Sequence, residues 1–224
     1  MKGKTMIICL GDSITYGLKA SDADKSYPSV LGALLGEKYT VKNFGRNGAT
    51  AINRQDYAEN SPSPYKKSPE YRKAIVTEAD MVILMLGMND ANPTHSWNLP
   101  SGILSEDMTE AYERGMEELI DDFERQPSAP LVILAEITPM TRKKSEIFSE
   151  LYVRNFTENL IKLRKIQRKL ARKRNICLIE TEALLDKAEY FDDGCHLTDA
   201  GYYRLAEIIA KRIVWETSCE QAAD

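Results

Sequence analysis

Met81-Val82-Ile83-Leu84-Met85-Leu86 runs straight into Gly87-Met88-Asn89-Asp90. Successive side chains of a strand point to opposite faces, so a strand with one wet face would alternate. An unbroken apolar run suits a strand covered on both sides, the usual situation in a parallel sheet. Similar runs lie on either side of it. Thr5–Leu10 (TMIICL) and Leu131–Ile137 (LVILAEI) are nearly as apolar, and Thr40–Phe44 (TVKNF) and Ile176–Ile179 (ICLI) are shorter. Between them the apolar spacing predicts helices over 27–37, 69–78, 106–125, 146–174 and 198–216. Strand and helix alternate along the whole chain. That order predicts a doubly wound α/β fold: a five-stranded parallel sheet inside a three-layer α/β/α sandwich, one domain over 1–224.

Composition agrees with one such domain and excludes several classes. The chain has 224 residues, 43% of them hydrophobic, enough for a packed core. Lys+Arg 30 against Asp+Glu 34 leaves a net charge of −4, which argues against nucleic-acid or membrane-surface binding through bulk positive charge. No stretch is long and apolar enough for a transmembrane helix, and Met6–Leu10 is too short for a signal h-region, so a cytoplasmic protein is expected. Four cysteines do not make a disulfide scaffold, and Cys9 and Cys177 read as small buried fillers. Two histidines without CxxC or HxxxH spacing supply no metal site, and no cofactor is expected. Asn60–Pro69 (NSPSPYKKSP) reads as a long surface loop. The basic stretch 146–174 reads as a solvated helix face, with Ile147, Leu151, Leu160, Leu163 and Leu170 as its apolar stripe and the acidic stretch Glu106–Glu124 as its counterpart.

In open α/β sheets, ligands sit outside the carboxyl ends of the strands. Four polar groups of residues occupy such ends: Gly11-Asp12-Ser13-Ile14-Thr15-Tyr16-Gly17, Gly45-Arg46-Asn47-Gly48-Ala49, Gly87-Met88-Asn89-Asp90 and Asp193-Gly194-Cys195-His196-Leu197. None has the glycine spacing or the lysine of a phosphate-binding loop. They do contain the parts of nucleophilic catalysis. Ser13 follows a strand, where a tight turn would present its hydroxyl. His196 could serve as its base, with Asp193 three residues earlier to orient the ring. Ser13 N–H, Gly45 N–H and the Asn89 side chain could stabilise an oxyanion. Taken singly, Ser13 could be a helix N-cap, Asp12 and Asp193 turn formers, and Asn89-Asp90 a plain loop. Cys195 is a poor nucleophile beside a separate serine block.

GDSITYG, NFGRNGA, GMND and DGCHL, in that order, resemble the four blocks of the SGNH (GDSL) hydrolase family, from Gly11 to His196. The resemblance implies a flavodoxin-like α/β/α domain and a metal-independent ester hydrolase. It implies Ser13 as nucleophile, His196 as base, Asp193 as its partner, and Ser13, Gly45 and Asn89 as oxyanion donors. Met88 stands where Thr or Glu is more usual, and Arg46-Asn47 where smaller residues are usual. Gly48-Ala49-Thr50-Ala51, and MLGMNDANP followed by Trp97, are similar to bacterial carbohydrate O-acetylesterase and sialate O-acetylesterase-like members. Asp12, Tyr57, His95 and Trp97 are candidate substrate-binding residues. Polar segments with interspersed Tyr57, Tyr65 and Trp97 suit a sugar better than an acyl chain. The expected partner is therefore a small-molecule or carbohydrate ester carrying a short acyl group. A lysophospholipase or thioesterase, and a non-catalytic glycan binder, are the alternatives.

Overall fold

The computed structural model describes residues 3–53, 62–94, 102–141, 149–185 and 187–221. Its elements, in chain order, are β1 (Thr5–Gly11), α1 (Ser13–Tyr16), α2 (Tyr27–Leu35), β2 (Tyr39–Gly45), β3 (Ala49–Thr50), β4 (Ser63–Pro64), α3 (Pro69–Ala74), β5 (Met81–Met85), α4 (Met88–Ala91), α5 (Glu106–Glu124), β6 (Leu131–Ala135), α6 (Glu150–Arg174), β7 (Cys177–Ile179) and α7 (Asp199–Gln221). Five strands form a sheet in the order β2-β1-β5-β6-β7, every pair parallel. The chain moves outward from β1 to β2, then crosses back to β5. The strand order reverses there, which opens a crevice above the ends of β1 and β5.

The apolar runs divide between two cores by the period of two. Ile7 and Cys9 of β1, with Ile83 and Met85 of β5, pack with Tyr27 and Leu31 of α2 and Leu205 and Ile209 of α7. Ile8 and Leu10, with Val82 and Leu84, pack on the opposite face with Leu119 and Phe123 of α5 and Leu160 and Leu163 of α6. Each such fully buried side chain stabilises the fold by about 1.5–3 kcal/mol before conformational entropy is counted.

The helices depart from the sequence reading where side chains bind backbone. α3 begins at Pro69 behind Ser68, whose Oγ accepts from Tyr71 N, and it stops at Ala74. Thr77 then folds its hydroxyl back onto the Lys73 carbonyl. Ser149 caps α6, which ends at Asn175 in the left-handed region. Leu151 is exposed rather than part of the apolar stripe, and Ile147 lies outside the described residues. The buried face of α6 instead includes Asn155, Asn159, Arg164 and Gln167. These side chains hold loop backbone: Asn159 accepts from Leu104 N (2.8 Å) and donates to Ala91 O (2.9 Å), and Gln167 accepts from Ile137 N (3.1 Å). Polar positions break the apolar periodicity because the helix supports the loops above the sheet.

The basic face of α6 meets the acidic face of α5. Lys169 pairs with Glu113, Lys173 with Glu117, and Arg174 with Asp121 and Glu124. Residues 62–69 are not a free surface loop. β4 pairs with β3, and Tyr65 is buried with its hydroxyl on the Phe44 carbonyl (2.7 Å). Cys9 is a buried filler as expected, but Cys177 is only partly covered and its Sγ accepts from Arg212 Nε (2.9 Å).

Candidate active site

Gly11 lies opposite Gly45 on one side and Met85 on the other, so β1, β2 and β5 end at one level. Arg46 N donates to Gly11 O (2.9 Å) and fixes that level. Within four residues of it come Ser13, Gly48 and Asn89. The parallel register therefore brings together groups separated by some seventy residues of chain.

Ser13 is the first residue of α1, and the cap is Asp12, whose carboxylate accepts from Ile14 N (3.0 Å). Ser13 Oγ lies 3.0 Å from His196 Nε2, and His196 Nδ1 lies 2.7 Å from Asp193 Oδ2. The other oxygen of Asp193 accepts from Cys195 N (3.0 Å) and His196 N (2.8 Å). A three-residue spacing can make all these contacts because the chain turns tightly at Gly194, with φ +90°. Two backbone bonds close the loop: Asp192 N to His196 O and Thr141 N to Gly194 O, both 2.8 Å. Burial alone would raise the Asp193 carboxyl, but the imidazole and the two backbone N–H groups overcome it and hold Asp193 well below the usual carboxylate range. An ionised Asp193 assigns the proton to Nδ1 and leaves the Nε2 lone pair facing the serine hydroxyl.

The donors expected for an oxyanion differ in their availability. Ser13 N–H, at the first position of a helix, has no intrahelical acceptor. Asn89 Nδ2 donates to Ala49 O (2.9 Å), which joins α4 to the segment after β2. Gly45 N–H is engaged by Asn43 Oδ1 (2.8 Å). Gly45 has another reason to be glycine, because a Cβ there would collide with Tyr16 N and the α1 backbone. Three residues on, Gly48 adopts φ +73°, and no acceptor among the described residues takes its N–H. The sequence reading passed over Gly48, although it stands in the Gly48-Ala49-Thr50-Ala51 run.

Residues 9–204 match the GDSL-like lipase/acylhydrolase family. The chain belongs to that family. It is 28% identical over 220 residues to an acetylxylan esterase of Xylanibacter ruminicola, covering 92% of this chain and 42% of that protein. The chain thus spans less than half the length of this curated relative. Among solved structures, a carbohydrate acetylesterase from Sinorhizobium meliloti superposes with a TM-score of 0.74 at 20% identity, over 94% of this chain and 99% of that one. An aryl esterase of M. smegmatis does so at 0.72 and 19%, over 93% and 98%.

In this member of the acylhydrolase family, Asp12 is placed differently from a substrate-binding residue. It is buried, and its carboxylate accepts from Ile14 N (3.0 Å), which fixes the serine turn. Burial pushes its carboxyl up to about 6 against that bond and the nearby imidazole. Cys195 packs into the apolar core, and burial holds its thiol above the usual range, which disfavours the reactive thiolate. Tyr57, His95 and Trp97 lie outside the described residues. Tyr65, read as a stacking surface, is buried beneath the site instead. Among the described residues no helix is long and apolar enough to cross a membrane, and no group of three or more His, Cys, Asp or Glu could hold a metal ion.

Proposed function

We propose that the chain is a serine carboxylic ester hydrolase acting on short acyl groups, acetyl above all, carried by carbohydrate. The observation that carries this reading is the hydrogen-bonded series Ser13 Oγ, His196 Nε2, His196 Nδ1, Asp193 Oδ2. Ser13 attacks the ester carbonyl and His196 takes its proton, while Asp193 stabilises the imidazolium that forms. The tetrahedral oxyanion is held by Ser13 N–H, Gly48 N–H and the Asn89 amide, with Gly48 taking the place first given to Gly45. Removing one such donor typically costs about 10²–10³ in kcat. His196 then protonates the leaving alcohol. Water repeats the cycle on the acyl-enzyme and releases the acid.

The substrate class rests on surroundings and similarity. Of the aliphatic pair Ile103-Leu104, the one such pair near the site-facing segments in the sequence, Leu104 is buried in the core and cannot line an acyl channel. The named relatives include an acetylxylan esterase and a carbohydrate acetylesterase. The test is kcat/KM on p-nitrophenyl esters from acetate to decanoate, then acetate release from acetylated xylan and acetylated monosaccharides. The expected profile is highest at acetate and falls with length. A preference rising to octanoate would replace this reading with a lipid-ester or thioester hydrolase. Absence of hydrolysis, with saccharide binding retained, would replace it with a glycan-binding protein.

A further inference from the structure

Asp90 has no role in the mechanism above, yet it is fully buried beside the site. Its Oδ2 accepts from Ala51 N (3.0 Å) and its Oδ1 from Ile52 N (2.9 Å). Asn89, next to it on α4, donates to Ala49 O (2.9 Å). Two consecutive side chains thus grip three backbone groups within residues 49–52, directly after Gly48. The other side of that segment is also confined. A Cβ at Gly115 of α5 would collide with the Ala51 carbonyl, so helix and segment touch backbone to backbone. Ser63 N donates to Gly48 O (3.0 Å) from β4. Burial and the neighbouring Asp12 raise the Asp90 carboxyl, against the two backbone donors, to about 7. Keeping a carboxylate in so dry a place is costly, and a turn alone would not need it.

We propose that Asp90 is a positioning residue for the oxyanion site: with Gly115 as the opposing wall, it sets the place of the 49–52 segment and hence of the Gly48 N–H. This rests on the serine hydrolase reading. Asp90 touches no substrate atom. It acts through two amides whose displacement moves the Gly48 donor relative to Ser13.

The test perturbs the segment from both sides. Asp90→Asn removes one of the two acceptors, and Gly115→Ala pushes on the Ala51 carbonyl without touching a titratable group. Activity is measured with p-nitrophenyl acetate and normalised to sites titrated with a fluorophosphonate. Affinity for phenylboronic acid is measured in parallel, because its tetrahedral adduct places an anionic oxygen among the donors. In both variants kcat per titrated site falls about 10–100-fold, less than for outright loss of a donor, with KM within about twofold. Boronate affinity falls by the same factor as kcat/KM. A purely structural role would lower the melting temperature and the number of titratable sites, leaving kcat per site and boronate affinity unchanged. That outcome overturns the proposal. If Asp90→Asn does not fold, Gly115→Ala decides alone, read on the fraction of sites that still titrates because its Cβ must displace the Ala51 carbonyl. Ser13→Ala separates the two readings. Full turnover in Ser13→Ala defeats the serine mechanism itself, whereas an inactive Ser13→Ala beside fully active Asp90→Asn and Gly115→Ala defeats only the positioning role.

Discussion

Asp193, on a loop, and Asp90, on α4, stand above the same sheet, and each accepts two backbone N–H groups. Asp193 also meets an imidazole and is partly open to solvent, and its carboxyl is held below the usual range. Asp90 meets only backbone, is fully buried and sits near Asp12, and its carboxyl is pushed up to about 7. The number of backbone hydrogen bonds does not separate them; solvent and the neighbouring group do. In the proposed mechanism Asp193 faces a developing imidazolium, and it is the carboxylate kept ionised. Carboxylates that hold loops can sit where charge is costly, because their work is geometric.

The largest effect that could break this contrast is on turnover. Asp193→Asn is expected to lower kcat by about 10³–10⁴ by disfavouring the useful tautomer, with little change in melting temperature. Stopped assays beside thermal melts check it; a loss below about tenfold would remove the distinction. Next comes Asp12→Ala, which leaves the buried Ile14 N–H without its acceptor. Urea unfolding should show a loss of about 1–3 kcal/mol. A third measurement uses pH. The folded-state values of Asp12 and Asp90 are raised from 3.8 to about 6 and about 7. The folded state therefore holds their protons more tightly, and their stabilising contribution is complete below about pH 4 and lost as pH rises to about 7. Asp193 has the opposite sign, contributing above pH 3.8 and losing its contribution as pH falls. Unfolding free energies across pH 4–8 should fall less steeply in Asp90→Asn than in the parent. The smallest effect concerns the exposed rungs between α5 and α6. Lys169→Ala, which breaks the pair with Glu113, should change stability by less than about 1 kcal/mol.

The sheet was legible because its signal is local. A strand covered on both faces writes an apolar run, and the five runs located the five strands to within a residue or two. Ser13, His196 and Asp193 could be picked out as a group because nucleophilic catalysis demands particular side chains at strand ends, and the fold brings these three into one hydrogen-bonded series. What stayed hidden is carried by backbone. Gly45 and Gly48 differ in whether an N–H is already engaged, and nothing in either letter records that the Asn43 side chain takes one of them. Asp12 looked like a residue facing substrate, because its buried partner Ile14 N has no signature in the sequence. Asn159, Arg164 and Gln167 broke the apolar stripe of α6 for the same reason: their partners are loop carbonyls and amides far along the chain.

The small ladder between β3 and β4 also bears on how such a chain can diversify. It pairs Ala49-Thr50 with Ser63-Pro64, and Ser63 N donates to Gly48 O (3.0 Å), so two stretches of chain are anchored to each other beside the Gly48 N–H. Insertions between these two anchor points would leave Gly48, Asn89 and the Asp90 grip where they are. Lineages can therefore vary the sequence between the paired stretches without rebuilding the chemistry, and a library randomised at 54–61 should retain esterase activity far more often than lose it.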